Sequence, residues 1–355
     1  METAAAVMVV PLSVSLRLSL ASREKTMEVS WWLELVLLSL PIISVVTDIC
    51  RPVPVAIALG FSALSLARWD KSKESTAAAF RVATALATGV CVLGVDFPSF
   101  PNRYAKTNGG GLSYMDLGTA ATVFGDGLRS PAAPKMKRAL LLFGLAAARS
   151  AFVATTGYPE PEPEYQRGWN FFWTLACIEA ASLLGPIAMV FLSLTLPSTY
   201  PGLATVPGYL VVNLAARAFF SFKMTSPTSW LPAALTYLAV VDDTISRSEA
   251  DLGYVLASVA LSIIVFNILR PFATFWHRLP ATSVLNVIRR HRLAYFLVIN
   301  LLCGAVNFTM HTNSVTSRFQ AALILFAHTS LAATIVKFDD EQLLAFRSLR
   351  SRPKE

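Results

Sequence analysis

The chain has 355 residues, of which 54% are hydrophobic and only 15% charged, with a mean hydropathy of +0.54; these values exclude an ordinary soluble domain and indicate a polytopic membrane protein. Its net charge of +8 does not read as a nucleic-acid surface, because basic residues such as Lys135, Lys137 and Arg138 sit in short loops without interleaved aromatics, as cytosolic anchors do. A span needs roughly 20 residues, so the length leaves room for about ten transmembrane helices, in a range of roughly 8 to 12, with short loops and re-entrant segments.

In chain order, residues 1–30 form an N-terminal segment of open role. Its apolar run is interrupted by Pro11 and Arg17 and lacks the basic start of a signal peptide. Span candidates follow at 31–50, 77–95, 139–157, 169–194, 203–222, 252–270, 293–310 and 317–337. The runs 52–67, 117–128 and 230–241 are too short for a comfortable crossing and read as tilted, paired or re-entrant. Together they predict an all-α helix bundle: one membrane domain over 31–338 and a cytosolic tail over 339–355.

Basic residues orient this bundle. Arg68, Lys71 and Lys73 mark one loop, Arg129 to Arg138 a second, Arg289, Arg290 and Arg292 a third, and Arg347, Arg350 and Arg352 the tail; all are placed on the cytosolic side. The acidic, proline-rich run Glu160 to Glu164 suits the opposite face, and falls there if 117–128 crosses and 139–157 returns. Counting spans puts the loop from Asp96 to Lys106 on that opposite face too, provided that one run between 169 and 270 does not cross, 230–241 being the obvious candidate.

That loop carries the first candidates for chemistry. Asp96 and Lys106 stand ten residues apart on a segment stiffened by Pro98 and Pro101, and charges beside lipid are costly to hold without a use. A carboxylate and an ammonium can take a hydroxyl proton and meet a developing oxyanion. They can equally form an ion pair that staples the loop to the bundle.

Arg103 offers a planar fork for phosphate or carboxylate. Asp116 precedes a short helix and reads either as its N-cap or as a substrate contact. Gly109 to Gly111 match no phosphate-binding fingerprint and read as a mobile turn. Among ionisable residues in spans, Arg149 and Glu179 are candidates, with Arg81 and Arg217 nearer the span ends.

Asn170, beside Trp169, is a helix-start contact or a sugar ligand. Asn300 and Asn307 are seven residues apart, on one helix face, which would turn inward. His277, His291, His311 and His328 have no metal-ligand spacing, and Cys50, Cys91, Cys177 and Cys303 form no Cys-x-x-Cys. No metal site and no disulfide framework are implied.

The segments Val95-Asp96-Phe97-Pro98, Phe100-Pro101, Arg103-Tyr104-Ala105-Lys106, Met115-Asp116-Leu117-Gly118 and Ser130-Pro131 occur with Trp169-Asn170-Phe171-Phe172 and Asn300-Leu301-Leu302-Cys303-Gly304-Ala305-Val306-Asn307. In this order they resemble the inositol acyltransferases of glycosylphosphatidylinositol (GPI) anchor synthesis. The resemblance implies a multi-pass endoplasmic-reticulum enzyme that moves a fatty acyl group from acyl-CoA to the inositol 2-hydroxyl of glucosaminyl-phosphatidylinositol. It implies acyl-CoA as co-substrate, no resident cofactor, and catalytic roles for Asp96 and Lys106. Two positions depart from the family pattern: Asn102, where a basic residue is usual, and His311, where an acid is usual.

Two rival readings belong to other classes. In a transporter or flippase, Asp96, Lys106 and Arg149 would be path charges, although no internal repeat is visible. In a histidine-dependent membrane-bound O-acyltransferase, His328 would do the proton work.

Overall fold

The computed structural model describes residues 2–23, 29–64, 73–107, 110–128, 136–156, 169–184, 187, 201–221, 230–240, 245 and 250–350. The expected basic loops at Arg68 and Lys71 and at Arg129 and Lys135, the acidic run Glu160 to Glu164, Gly109 and Arg352 lie outside the described residues. Among the described residues there are thirteen α-helices and no strand, so the chain is the all-α membrane bundle expected. Seven are long and apolar enough to cross a membrane: Glu2–Ala21, Ser75–Gly94, Met136–Thr156, Leu203–Ser221, Leu252–Leu269, Arg292–Thr309 and Arg318–Gln342. Shorter apolar helices occupy Trp31–Val46, Pro52–Ala63, Phe171–Ala181 and Leu231–Val240.

The chain divides into two compact units, one of residues 1–105 and 265–355 and the other of residues 106–264. The first unit contains α1 (Glu2–Arg23), α2 (Trp31–Val46), α3 (Pro52–Leu64), α4 (Lys73–Gly94), α11 (Val284–Arg290), α12 (Arg292–Thr309) and α13 (Arg318–Arg350). The second contains α5 (Leu117–Gly127), α6 (Met136–Thr156), α7 (Phe171–Leu184), α8 (Val206–Ser221), α9 (Trp230–Val240) and most of α10 (Leu252–Leu269).

The N-terminal segment, left open by sequence, is a full helix in the middle of the first unit. Val9, Val10, Val14 and Leu18 are fully buried, and α1 packs on α2, α3 and α4. The two apparent interruptions are absorbed. Pro11 stays within the helix, and Arg17, wholly buried, lies 3.3 Å from the equally buried Glu34 of α2. The other oxygen of Glu34 accepts from the Val284 backbone N–H at 3.0 Å, at the N-terminus of α11, where the helix dipole favours an anion. One carboxylate thus ties three helices together at one end of the unit.

Beyond the expected boundary at 338, α13 continues to Arg350. Asp340 explains part of that extension: its carboxylate receives the Arg290 guanidinium through both oxygens, and His291 at 2.7 Å. Apolar side chains such as Phe308 and Leu301 of α12 and Phe319 of α13 are exposed, as lipid-facing positions are in a bundle whose backbone bonds are satisfied internally.

In the second unit, α5 and α8 approach closely because Gly127 has no side chain. A Cβ there would stand 2.6 Å from the Asn213 carbonyl oxygen and 2.7 Å from the Ala216 Cβ. Asn213 seals the contact by donating to the Val123 carbonyl at 3.1 Å.

Removing half of the Arg17–Glu34 pair leaves an uncompensated buried charge. Glu34→Ala is therefore expected to lose about 3–5 kcal/mol in equilibrium unfolding in detergent. The double variant Arg17→Met/Glu34→Met is expected to lose less than Glu34→Ala alone. A single variant as stable as the parent would contradict this role.

Candidate functional site

Helix α4 ends where its sequence stops supporting a helix. After Gly94 the chain turns through Asp96-Phe97-Pro98, with Asp96 N–H donating to the Leu93 carbonyl at 3.1 Å and Phe97 N–H to the Gly94 carbonyl at 3.2 Å. Pro98 and Pro101 cannot donate a backbone hydrogen bond. Phe97, Phe100 and Tyr104 bury their rings, and Phe100 meets Tyr104 edge to face with centroids 6.4 Å apart. The one-turn 3₁₀ helix Asn102–Tyr104 follows. Buried rings therefore pin the loop and leave Asp96 half-buried at the exit of α4.

A carboxylate at a helix C-terminus faces the negative end of the dipole and needs donors from elsewhere. Helix α12 supplies them. Asn307 Nδ2 donates to Asp96 Oδ2 at 2.9 Å, and Cys303 Sγ, one turn earlier, approaches the same oxygen at 3.6 Å. An ionised carboxylate only accepts, so it turns the amide with its N–H toward Asp96, and the amide oxygen faces Thr312 Oγ1 at 3.5 Å. Both contacts fall on Oδ2, so Oδ1 is the oxygen left for a proton donor.

Asp96 and Asn307 line a cleft of about 360 Å³, together with Val95, Met310, His311, Thr312 and Asn313. All of these residues belong to the first unit. The cleft combines a fixed carboxylate, an amide, a hydroxyl and an imidazole with the apolar side chains of Val95 and Met310. It is suited to proton transfer from a hydroxyl group.

The expected site residues fall in different places. Asp96 and Asn307 come together, with Asn307 as the partner of the carboxylate. Arg103 stands at the same end of the first unit, where its Nε is 2.9 Å from Glu2 Oε2 and its Nη2 is 3.0 Å from Asp48 Oδ1. Partial burial lowers the Arg103 pKa, but the hydrogen bonds and charges of Tyr104, Asp48 and Glu2 outweigh it and hold the guanidinium above its ordinary value. Lys106 opens the second unit, directly after this loop.

Three candidates serve local structure. Asp116 is fully buried and makes no side-chain capping bond to α5. It accepts instead from Thr107 N–H at 3.3 Å, Thr107 O–H at 3.0 Å and Ser113 N–H at 2.8 Å, closing the glycine-containing loop on itself. Asn170 donates to the Ala146 carbonyl and to Ser150, and accepts from Phe172 N–H at 3.0 Å at the start of α7. Asn300 is exposed and donates to the Phe296 carbonyl of its own helix at 2.7 Å.

Asn300 and Asn307 share an azimuth yet part company, for a geometric reason. The buried seam of α12 runs Tyr295, Ile299, Cys303. A four-residue step drifts around the helix by about 40° each time. The seam reaches the azimuth of Asn307 only in the last turn, so Asn300 lies off it.

Arg149 is exposed on α6, and Glu179 lies 3.7 Å from Arg138, which also pairs with Asp126 at 2.6 Å. His328 is buried and bonded to the Ile299 carbonyl at 3.0 Å; it packs α13 on α12 and does not line the cleft. Sequence reasoning gave Cys303 no role beyond the absence of a Cys-x-x-Cys motif and passed over Thr312. Their signal was spacing, since Cys303 precedes Asn307 by one turn and Thr312 closes the loop after it.

A sequence model of the GWT1 family matches residues 1–210 and 213–338. Among curated relatives, GPI-anchored wall transfer protein 1 of Kluyveromyces lactis is 26% identical over 321 residues, covering 72% of this chain and 71% of the relative. GPI-anchored wall transfer protein 1 of Emericella nidulans is 28% identical over 334 residues, covering 71% and 69%. The human glucosaminyl-phosphatidylinositol-acyltransferase PIGW is 22% identical over 358 residues, covering 70% and 71%.

Loss of the Asn307 amide deprives a half-buried carboxylate of its closest donor. Asn307→Leu is expected to destabilise the protein by about 1–3 kcal/mol in detergent unfolding. Cys303→Ser, which keeps a donor, is expected to stay closer to the parent than Cys303→Val. Equal stability of Asn307→Leu and parent would remove Asn307 from this role.

Proposed function

The chain belongs to the GWT1 family, and from that premise we propose that it transfers a fatty acyl group to the inositol 2-hydroxyl of glucosaminyl-phosphatidylinositol in GPI-anchor biosynthesis. The observation that carries the reading is the Asp96 carboxylate, fixed through one oxygen in the lining of a cleft. Acyl-CoA is the donor and no resident cofactor takes part. The multi-pass chain works in the endoplasmic-reticulum membrane.

In this mechanism Asp96 Oδ1 accepts the proton of the inositol hydroxyl as its oxygen attacks the thioester carbonyl. Lys106 meets the negative charge that develops on the carbonyl oxygen. The C–S bond breaks, an ester bond forms, and the proton leaves with the coenzyme A thiol. Asn307 keeps Asp96 aimed; Arg103 takes a phosphate on the substrate side.

Charge orients the first unit. Asp96 follows the C-terminal end of α4 and Asn307 sits in the last turn of α12, whereas Arg289, Arg290 and Arg292 stand where α12 begins. That end also carries Lys73, Arg347 and Arg350, so its basic residues outnumber Arg51, Arg103 and Arg318 at the cleft end; since basic residues collect on the cytosolic side, the cleft opens toward the other side. Family membership sets aside the transporter reading, and the bonded, interior position of His328 supports Asp96 over a histidine as the base.

Asp96→Asn keeps the shape and hydrogen bonding of the side chain but cannot accept the proton. It is expected to reduce acylation by about 10²–10⁴-fold with unchanged unfolding in detergent, and Lys106→Gln to do so comparably. Expression in a cell lacking inositol acylation, followed by lipid analysis, measures both: the parent sequence restores the acylated glycolipid and Asp96→Asn leaves the unacylated one to accumulate. Normal turnover by Asp96→Asn ends this mechanism.

A further inference from the structure

Asp48 occupies a position that normally belongs to glycine. It follows α2 and its C-cap Thr47, with φ of +54°. Asp48 N–H donates to the Val45 carbonyl at 3.1 Å and Ile49 N–H to the Ser44 carbonyl at 2.9 Å. This pattern ends a helix with a left-handed residue, a place where glycine is preferred because it has no Cβ. An aspartate there carries backbone strain, which tends to persist where it serves a function.

What the aspartate adds is a carboxylate shared by two arginines distant in sequence. Oδ1 lies 3.0 Å from Arg103 Nη2 and Oδ2 lies 3.1 Å from Arg318 Nη2. The left-handed turn also presents the Asp48 carbonyl, which accepts from Arg318 Nη1 at 2.9 Å. Glu2 holds Arg103 Nε at 2.9 Å and Arg51 Nη1 at 3.3 Å. The Arg103 guanidinium rests 4.8 Å over the Tyr104 ring.

We propose that Asp48 sets Arg103 and Arg318 side by side as a two-guanidinium cradle for a phosphate group of a co-substrate. The inference rests on the acyltransfer reading above and adds two residues to it: Arg318 as a phosphate ligand and Asp48 as the residue that positions the pair. Arg318 also supplies the second cation that Asn102 does not.

Three features support the cradle over an ion-pair staple. Each guanidinium carries five N–H donors; the carboxylates and the Asp48 carbonyl engage two on each side chain, and Arg103 has Tyr104 as a further partner, which leaves donors over on both. Both arginines remain more than one-third exposed, at 38% and 56%, so they are within reach of a ligand. Arg51, Arg103 and Arg318 against Glu2 and Asp48 leave one net positive charge, which matches a phosphodiester with one negative charge.

The cradle also lies at the same end of the first unit as the Asp96 cleft. Arg103 follows Asp96 on the same loop, and Arg318 begins α13 just after the cleft residues Thr312 and Asn313. The glycolipid phosphodiester fits the charge best, and the pyrophosphate of coenzyme A offers the same chemistry.

The test uses the purified full-length protein in detergent, with calorimetric titration of glycerophosphoinositol in one arm and coenzyme A in the other, beside steady-state KM values for both substrates. Arg318→Gln is expected to weaken one of the two ligands by about tenfold, the size of a lost charge-assisted hydrogen bond, and to raise the KM of the matching substrate with kcat little changed. Arg318→Lys is expected to recover part of the affinity. Weakening in the glycerophosphoinositol arm assigns the phosphodiester; weakening in the coenzyme A arm assigns the donor.

Asp48→Gly separates positioning from stability. Glycine suits the left-handed turn, so the unfolding midpoint is expected to hold or rise, while ligand affinity falls as the two guanidinium groups part. Unchanged affinities for both ligands in Arg318→Gln, or tighter binding in Asp48→Gly, overturn the proposal. The binding arms need no turnover, so a parent protein that binds but does not acylate would contradict the acyltransfer reading and leave the cradle standing.

Discussion

One constraint governs the site: a carboxylate must be held at the negative end of a helix. Asp96 sits at the exit of α4, where the dipole opposes its charge, and it stays there because α12 brings an amide and a thiol to the same oxygen. That requirement sets the register of α4 against α12. Gly89 serves it by making room, since a Cβ there would lie 2.6 Å from the Ile299 Cδ1. The seam of Tyr295, Ile299 and Cys303 then delivers Asn307 to the cleft in its last turn.

The rest of the first unit gathers charge pairs at both ends of its helices. At one end the buried Arg17–Glu34 pair joins α1, α2 and α11. At the other, Asp48 gathers Arg103 and Arg318. Buried and exposed pairs serve different purposes. The first is enclosed, and breaking it is costly because an unpaired charge would remain; the second is screened by water, contributes little to stability, and keeps its arginines within reach of a ligand.

Much of the fold was legible because lipid leaves few choices. Helices with continuous apolar runs, such as Leu252–Leu269, announce themselves through length and composition. Where sequence reasoning stopped short, a distant partner decided the outcome. Arg17 reads as a break in a span until Glu34 is beside it, and Pro11 stays in α1 because buried side chains on either side hold the helix in its unit. Part of the extension of α13 follows from Asp340 meeting Arg290 and His291, fifty and forty-nine residues away.

The site was legible in its chemistry and less so in its partners. Asp96 stands out in sequence as a charge between apolar stretches and two prolines, but periodicity alone cannot separate Asn300 from Asn307, because the packing seam drifts around α12. Asp116 and Asn170 share the polarity of binding residues, and backbone groups nearby satisfy them instead. Asp48 and Arg318 carry no local signal at all; only the fold brings them together. The most direct measurement is an experimental structure with the glycolipid acceptor and a non-transferable acyl-CoA analogue bound. The account predicts the inositol 2-hydroxyl within hydrogen-bond reach of Asp96, with the inositol ring in the cleft beside Asn307; an inositol ring lodged elsewhere, with Asp96 turned away from it, would contradict it.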